Sequence, residues 1–126
     1  DKMITQGFSG NPLVELRPLA FKRCLGNVWG NAMKFGTRLS IKGTHSKGWL
    51  TIMIEDDGPG IPESERRNVF RPFYRIDEAR NINTENAGSG LGLAIAIDIA
   101  RTHGGDIMLG ESDELGGLRA IVRIPA

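Results

Sequence analysis

Glycine placement constrains this chain more than any other feature. Of 126 residues, 17 are glycine. Many of them gather at 58–60, 88–92, 104–105 and 116–117, where they mark loops and turns. Between and before those breaks, stretches of helical spacing alternate with stretches of period two, so the chain reads as a mixture of short strands and helices.

Pro18 can open a helix at its first turn. From there Phe21, Cys24, Leu25, Val28, Ala32 and Phe35 follow helical spacing, and Gly36 supplies the stop. Arg23, Asn27, Asn31 and Lys34 fall on a second face of the same helix. Leu39, Ile41 and Gly43 then alternate with polar residues, as do Leu50, Ile52 and Ile54, with His45-Ser46-Lys47-Gly48 as the turn of a hairpin. A short helix is expected around 63–69. Residues 76–89 are polar and rich in Asn and read as a mobile loop. Leu91 to Ala100 form a helix apolar almost all round that ends at Gly104-Gly105, and two strands near 106–111 and 118–124 close the chain. Residues 3–16 read as short extended segments with a turn at 10–12. Hairpin-joined strands with helices between them favour an α+β fold, helices on one face of a largely antiparallel sheet.

Length fits one domain over 1–126, long enough to bury a core. The net charge of +1, from 16 basic and 15 acidic residues, gives no global argument for nucleic acid or for direct contact with an acidic membrane surface. No run is long and apolar enough to span a bilayer, and no signal peptide is evident. The chain opens on Asp1-Lys2-Met3-Ile4 and reads as a domain excised from a longer protein. Cys24 is the single cysteine, set among apolar residues, so a buried thiol is expected rather than a nucleophile. Neither His45, in the expected turn, nor His103, at a helix end, has a carboxylate at local spacing, and no Cys/His pattern suggests zinc.

Three clusters carry chemistry. Asn27 and Asn31, one helical turn apart, present two amides to one side, and an Asn carbonyl can bind Mg²⁺, which takes few protein ligands and leaves the rest to phosphate and water. The same pair also fits a solvated polar face. Asp57-Gly58-Pro59-Gly60 offers a carboxylate to an exocyclic amine such as that of adenine, with glycines that let a flat ring approach; an ordinary strand-to-loop turn reads the same way. Gly88-Ser89-Gly90-Leu91-Gly92-Leu93 opens a helix, where free amides and the positive dipole end favour phosphate, or serves as a flexible hinge. Its spacing is neither a Rossmann fingerprint nor a P-loop. Between the last two lies Val69-Phe70-Arg71-Pro72-Phe73-Tyr74-Arg75, a hydrophobic clasp whose arginines could reach phosphate.

Taken in order, Asn27–Phe35, Asp57–Gly60, Phe70–Phe73 and Gly88–Leu93 resemble the N, G1, F and G2 boxes of sensor histidine kinases, members of the ATPase superfamily of gyrase, Hsp90, histidine kinases and MutL. Within that family the chain looks most similar to osmosensor kinases of the EnvZ type. The resemblance covers nearly the whole sequence. It implies a Bergerat-type α/β sandwich with about three helices over a mixed, mostly antiparallel sheet, and ATP with Mg²⁺ as cofactors. Carried over residue by residue, it makes Asn31 the main Mg²⁺ ligand with Asn27 supporting. Lys34 lies near phosphate, Phe35 near the nucleotide, and Asp57 on the adenine amine. Gly58, Gly60 and Ile61 shape that pocket, and Tyr74 and Arg75 border it. Gly88, Ser89, Gly90, Leu91, Gly92 and Leu93 line the phosphates, with residues 74–89 as a lid.

It further implies transfer of the γ-phosphoryl to a histidine on a separate dimerisation domain, a response regulator downstream, and a cytoplasmic domain of a parent in the bacterial inner membrane. Gyrase-like relatives carry a general-base glutamate where this chain has Asn27, which takes no proton at neutral pH; that favours transfer over hydrolysis. Two rivals stand beside this reading. One is a serine kinase of the anti-sigma-factor type; the other is a nucleotide-responsive binding module without chemistry.

Overall fold

The computed structural model describes residues 2–10, 18–74 and 91–126. Five strands form one sheet: β1 (Met3–Gly10), β2 (Arg38–Ser46), β3 (Trp49–Asp56), β4 (Asp106–Glu111) and β5 (Leu118–Pro125), in the order β1-β2-β3-β5-β4. β1 runs parallel to β2, and every other neighbouring pair is antiparallel. Helices α1 (Pro18–Phe35) and α2 (Gly92–Thr102) lie on one face. The expected short helix at 63–69 is instead two single 3₁₀ turns, Glu63–Glu65 and Asn68–Phe70; the second packs on the core through Phe70, and its Val69 is buried. The fold is thus the α+β sandwich expected from the sequence.

Alternation decides which face each strand buries. On β3, Leu50, Ile52, Ile54 and Asp56 point inward; on β5, Leu118, Ala120, Val122 and Ile124 do the same. α1 lays Phe21, Cys24, Val28 and Ala32 over them, and α2 adds Ala96, Ile97 and Ala100. Burying side chains of the Val or Phe class contributes roughly 1.5–3 kcal/mol apiece. Small residues at the seam let the two helices approach: Cys24 Sγ donates to Ala96 O at 3.3 Å.

Both helix ends follow their glycines. Gly36 N donates to Ala32 O and closes α1. After α2, Gly104 takes φ +86° and Gly105 N reaches back to Ala100 O at 2.9 Å, the bond of a Schellman stop. The β2–β3 turn is tighter than expected. Only Lys47 and Gly48 lie between the strands, both at positive φ, the signature of a two-residue primed turn. His45 therefore belongs to β2, not to the turn; it is buried, with Nε2 at 3.1 Å from Ala126 O.

β1 is one strand with all eight residues exposed. α1 packs on β3 and β5, and α2 on β4 and β5, so the β1–β2 half of that face lacks a helix among the described residues. An apolar groove of about 360 Å³ results, lined by Gln6, Phe8, Ile41 and Ile52.

Candidate nucleotide site

Two adjacent acids end β3, and alternation sends them to different places. Asp56 continues the inward series of Leu50, Ile52 and Ile54 and is 2% exposed. Its Oδ1 accepts from Gly58 N at 2.9 Å and from Leu118 N at 3.2 Å. Among the described residues Oδ2 receives no hydrogen bond. Burial pushes this carboxyl above its ordinary range and the neighbouring Asp57 charge pushes it further, against the lowering pull of the two amides.

Asp57 lies just past the strand and turns toward the gap between α1 and β2. Its Oδ1 accepts from Thr37 N at 2.7 Å and Arg38 N at 3.0 Å, and its Oδ2 from the Thr37 hydroxyl at 3.0 Å. The Arg38 and Thr37 amides hold its carboxyl below the usual range. Asp57 thus has both oxygens engaged in closing the α1–β2 connection, which disagrees with the sequence expectation that it faces the base. The inward acid at this bend is Asp56. Extending the alternation of β3 by one step finds it in the sequence.

The loop after β3 passes beneath the end of α1. A Cβ at Gly58 would lie 2.8 Å from Phe35 O and 2.9 Å from Phe35 Cβ, so only glycine fits there. Gly60 takes φ +72°. The half-buried Ile61 accepts Arg66 Nε on its carbonyl at 3.0 Å. Phe35 leaves about half of its surface open. Gly117, expected from the sequence only as a turn residue, packs on Asp56 and Gly58 from the β4–β5 turn. Its N–H donates to Asp56 O at 3.0 Å, and a Cβ there would sit 2.5 Å from Asp56 Oδ1.

Asn27 and Asn31 are both half-buried on α1, while Lys34 is exposed. A Cβ at Gly92 would lie 3.9 Å from Asn27 Cβ, so the asparagine turn of α1 faces the first turn of α2. Asn27 Nδ2 is buried there without a hydrogen-bond partner among the described residues, a costly state unless a ligand meets it. Leu91 caps α2, whose first turn has neither an acid nor a side-chain cap, while Leu93 packs against the core. Tyr74 Oη donates to Glu65, which also accepts from Asn68 Nδ2 at 3.3 Å; that pairing raises the Tyr74 hydroxyl above its ordinary value. Phe73 beside it has φ +65° and is 70% exposed. Arg75, Gly88, Ser89 and Gly90, with the rest of the expected lid, lie outside the described residues.

Two groups suggested by the sequence stay apart from this site. Cys24 is fully buried and burial pushes its thiol up to about 11, as befits a core residue. His103 ends α2 with Nδ1 at 2.9 Å from Ile99 O. Among the described residues no three His, Cys, Asp or Glu side chains converge to hold a metal. A cation here would take few protein ligands, and the neutral amides of Asn27 and Asn31 fit that demand.

Residues 17–126 match the family described as histidine kinase-, DNA gyrase B- and HSP90-like ATPases. The chain is 40% identical over 109 residues to the sensor histidine kinase GtrS of Pseudomonas aeruginosa, covering 86% of this chain and 22% of GtrS. Among solved structures, the mycobacterial sensor histidine kinase MprB superposes with a TM-score of 0.79 at 28% identity, covering 97% of this chain and 81% of that one. The ATP-binding domain of PrrB from Mycobacterium tuberculosis gives a TM-score of 0.70 at 30% identity, covering 98% and 80%. The chain thus spans less than a quarter of GtrS and most of each solved domain. By sequence and by fold the chain belongs to the histidine kinase-, DNA gyrase B- and HSP90-like ATPase family, on its sensor histidine kinase branch.

Proposed function

We propose that this domain binds Mg-ATP and presents the γ-phosphoryl to a histidine carried by a separate dimerisation domain of the same kinase, which then passes it to a response regulator. The observation that carries the reading is the buried Asp56 carboxylate, with Oδ1 held by two backbone amides and Oδ2 left for the exocyclic amine of adenine. In this reading Asp56 takes the base-binding role expected of Asp57. Gly58, Gly60 and Gly117 leave space for the ring, and Phe35 and Ile61 flank it. Tyr74 and Arg75 border the opening.

The phosphates run from there toward the first turn of α2. Gly92 and Leu93 supply amides at the positive end of the helix, with Leu91 and the segment Gly88-Ser89-Gly90 ahead of them and residues 74–89 as the lid. Lys34 adds charge from the rim. Asn31, supported by Asn27, would hold Mg²⁺ through amide oxygen, and the ion when bound offsets charge on the phosphates. What these residues do is position and stabilise the transferring group. Asn27 takes no proton at neutral pH, so water activation is weak and delivery to an outside acceptor is favoured. The parent would be a sensor of the bacterial inner membrane with this domain on the cytoplasmic side; no helix among the described residues is long and apolar enough to cross a bilayer.

The test is calorimetric titration of ATP with and without Mg²⁺, followed by mixing with an acceptor-helix fragment and labelled ATP. Acid-labile label on the fragment supports histidine transfer. Acid-stable label points to a serine kinase, and binding without transfer points to a nucleotide-responsive module. Folded protein that binds no adenine nucleotide sinks the reading.

A further inference from the structure

Glu55 and Asp56 are consecutive on β3, so their side chains leave opposite faces of the sheet. Asp56 faces the helices. Glu55 faces away from them, yet it is only 4% exposed. A buried carboxylate is costly unless it is well paired. Among the described residues Glu55 makes no ion pair, not even with Arg119, its register partner on β5. Its partner is Ser112, which donates its hydroxyl to Glu55 Oε2 at 2.6 Å and is 1% exposed.

Ser112 organises the turn between β4 and β5. Its Oγ accepts from Leu115 N at 3.1 Å, its carbonyl accepts from Gly116 N at 2.8 Å, and its own N–H donates to Gly117 O at 2.8 Å. The exposed pair Lys42–Glu114, at 3.7 Å, tethers the same turn to β2. The chain from Leu115 N–H through the Ser112 hydroxyl to Glu55 is a run of hydrogen bonds in which each polarises the next. The far end of that turn is Gly117-Leu118, whose amides bind Asp56 O and Asp56 Oδ1. One turn is therefore held from behind the sheet by Glu55 and grips, on the front, the acid next in sequence.

We propose that Glu55 and Ser112 are positioning residues for base selection. They fix the Leu118 amide on Asp56 Oδ1, so that Oδ2 alone meets the base. Without the clamp the carboxylate gains freedom to turn, and the preference for a 6-amino purine over a 6-oxo purine narrows. The inference rests on the nucleotide reading given above.

The experiment measures ATP and inosine triphosphate affinity for the native chain, Ser112→Ala, Glu55→Gln and Glu55→Ala. Amide hydrogen exchange at Leu115 and Leu118 is followed in each. Loss of one buried hydrogen bond should weaken ATP about five- to tenfold in Ser112→Ala and Glu55→Ala, leave inosine triphosphate unchanged, and speed exchange at both amides. Glu55→Gln keeps an acceptor oxygen and should behave as native; being isosteric, it also keeps the test open if an alanine variant fails to fold. Faster exchange with an unchanged ATP-to-inosine-triphosphate ratio overturns the proposal, as does Glu55→Gln behaving like Glu55→Ala. A native chain that binds neither nucleotide overturns the nucleotide reading itself. That failure is separable, because exchange at Leu115 and Leu118 still reports whether the clamp exists.

Discussion

Asp56 Oδ1 lies 3.2 Å from the Leu118 amide across 62 residues of sequence. This contact joins the end of β3 to the start of β5 and fixes one oxygen of a buried strand-end acid. Replacing Asp56 by Asn keeps an acceptor for Leu118 and Gly58 but sets an amide NH₂ against the adenine amine. ATP affinity should fall about ten- to hundredfold, the range for losing a charge-assisted hydrogen bond, while circular dichroism stays native. Asp57→Asn should leave ATP affinity within about twofold and lower the melting temperature, because Asp57 serves Thr37 and Arg38. The opposite ranking in calorimetry returns the base-reading role to Asp57.

The same two acids give opposed pH effects. Asp57 is held below its ordinary pKa of 3.8, so its contribution to stability is present above about pH 3.8 and is lost as pH falls through its lower folded value. Asp56 is raised above 3.8. The folded state then binds the proton more tightly than the unfolded chain, and Asp56 lowers stability as pH rises from 3.8 through its folded value. Urea unfolding at stepped pH should show the gap between native and Asp57→Asn closing below pH 3.8. The gap between Asp56→Asn and native should open as pH rises through the Asp56 folded pKa. ATP affinity should rise through that same interval, since the base amine needs the ionised carboxylate.

Gly117 tests pocket closure. A Cβ there would stand 2.5 Å from Asp56 O and Oδ1 and 2.6 Å from Gly58 N, two backbone atoms and a carboxylate oxygen held by two amides. Gly117→Ala should cost about 1–3 kcal/mol in denaturant unfolding, as overpacking does, and remove measurable ATP binding. Gly116→Ala has open space but φ +86°; it should cost about 1 kcal/mol of backbone strain and keep the site. Equal loss of ATP binding in both variants refutes the closure role of Gly117.

Much of this arrangement is legible in the sequence because it is local. The helical spacing of Phe21, Cys24, Val28 and Ala32 and the alternation of Leu50, Ile52 and Ile54 each name a buried face, and the Gly36 and Gly104 stops lie where the chain ends its helices. Motif reading alone does not separate Asp56 from Asp57, because both are acids before a glycine turn; period 2 gives their different facings. The contact of Gly117 with Asp56 leaves no local signal because its partner lies far away in sequence on β3. The run 63–69 carries Pro62 and a helical composition, yet it breaks into two 3₁₀ turns, since Asn68 and Tyr74 converge on Glu65 and Arg66 bends back to Ile61 O. The β1–β2 pairing depends on a parallel crossover through α1, which no local pattern encodes.

Asn31 and Asn27 carry the last prediction. If amide oxygen from α1 meets Mg²⁺, the gain in ATP affinity on adding Mg²⁺ should vanish in Asn31→Ala, with Mg²⁺-free ATP binding unchanged. Asn27→Ala should have a second effect. Its Nδ2 is buried and has no hydrogen-bond partner among the described residues, so removing it relieves a cost of about 1–3 kcal/mol, partly offset by the small void left behind. Free Asn27→Ala should therefore be as stable as native or more so, yet bind ATP more weakly. A polar group that strains the empty domain and helps only the occupied one is the mark of a ligand-facing residue. Thermal melts with and without Mg-ATP read both sides at once. If Asn27→Ala melts lower than native without nucleotide and shifts by the same amount with it, Asn27 is a structural residue of α1 and its supporting role at the metal fails.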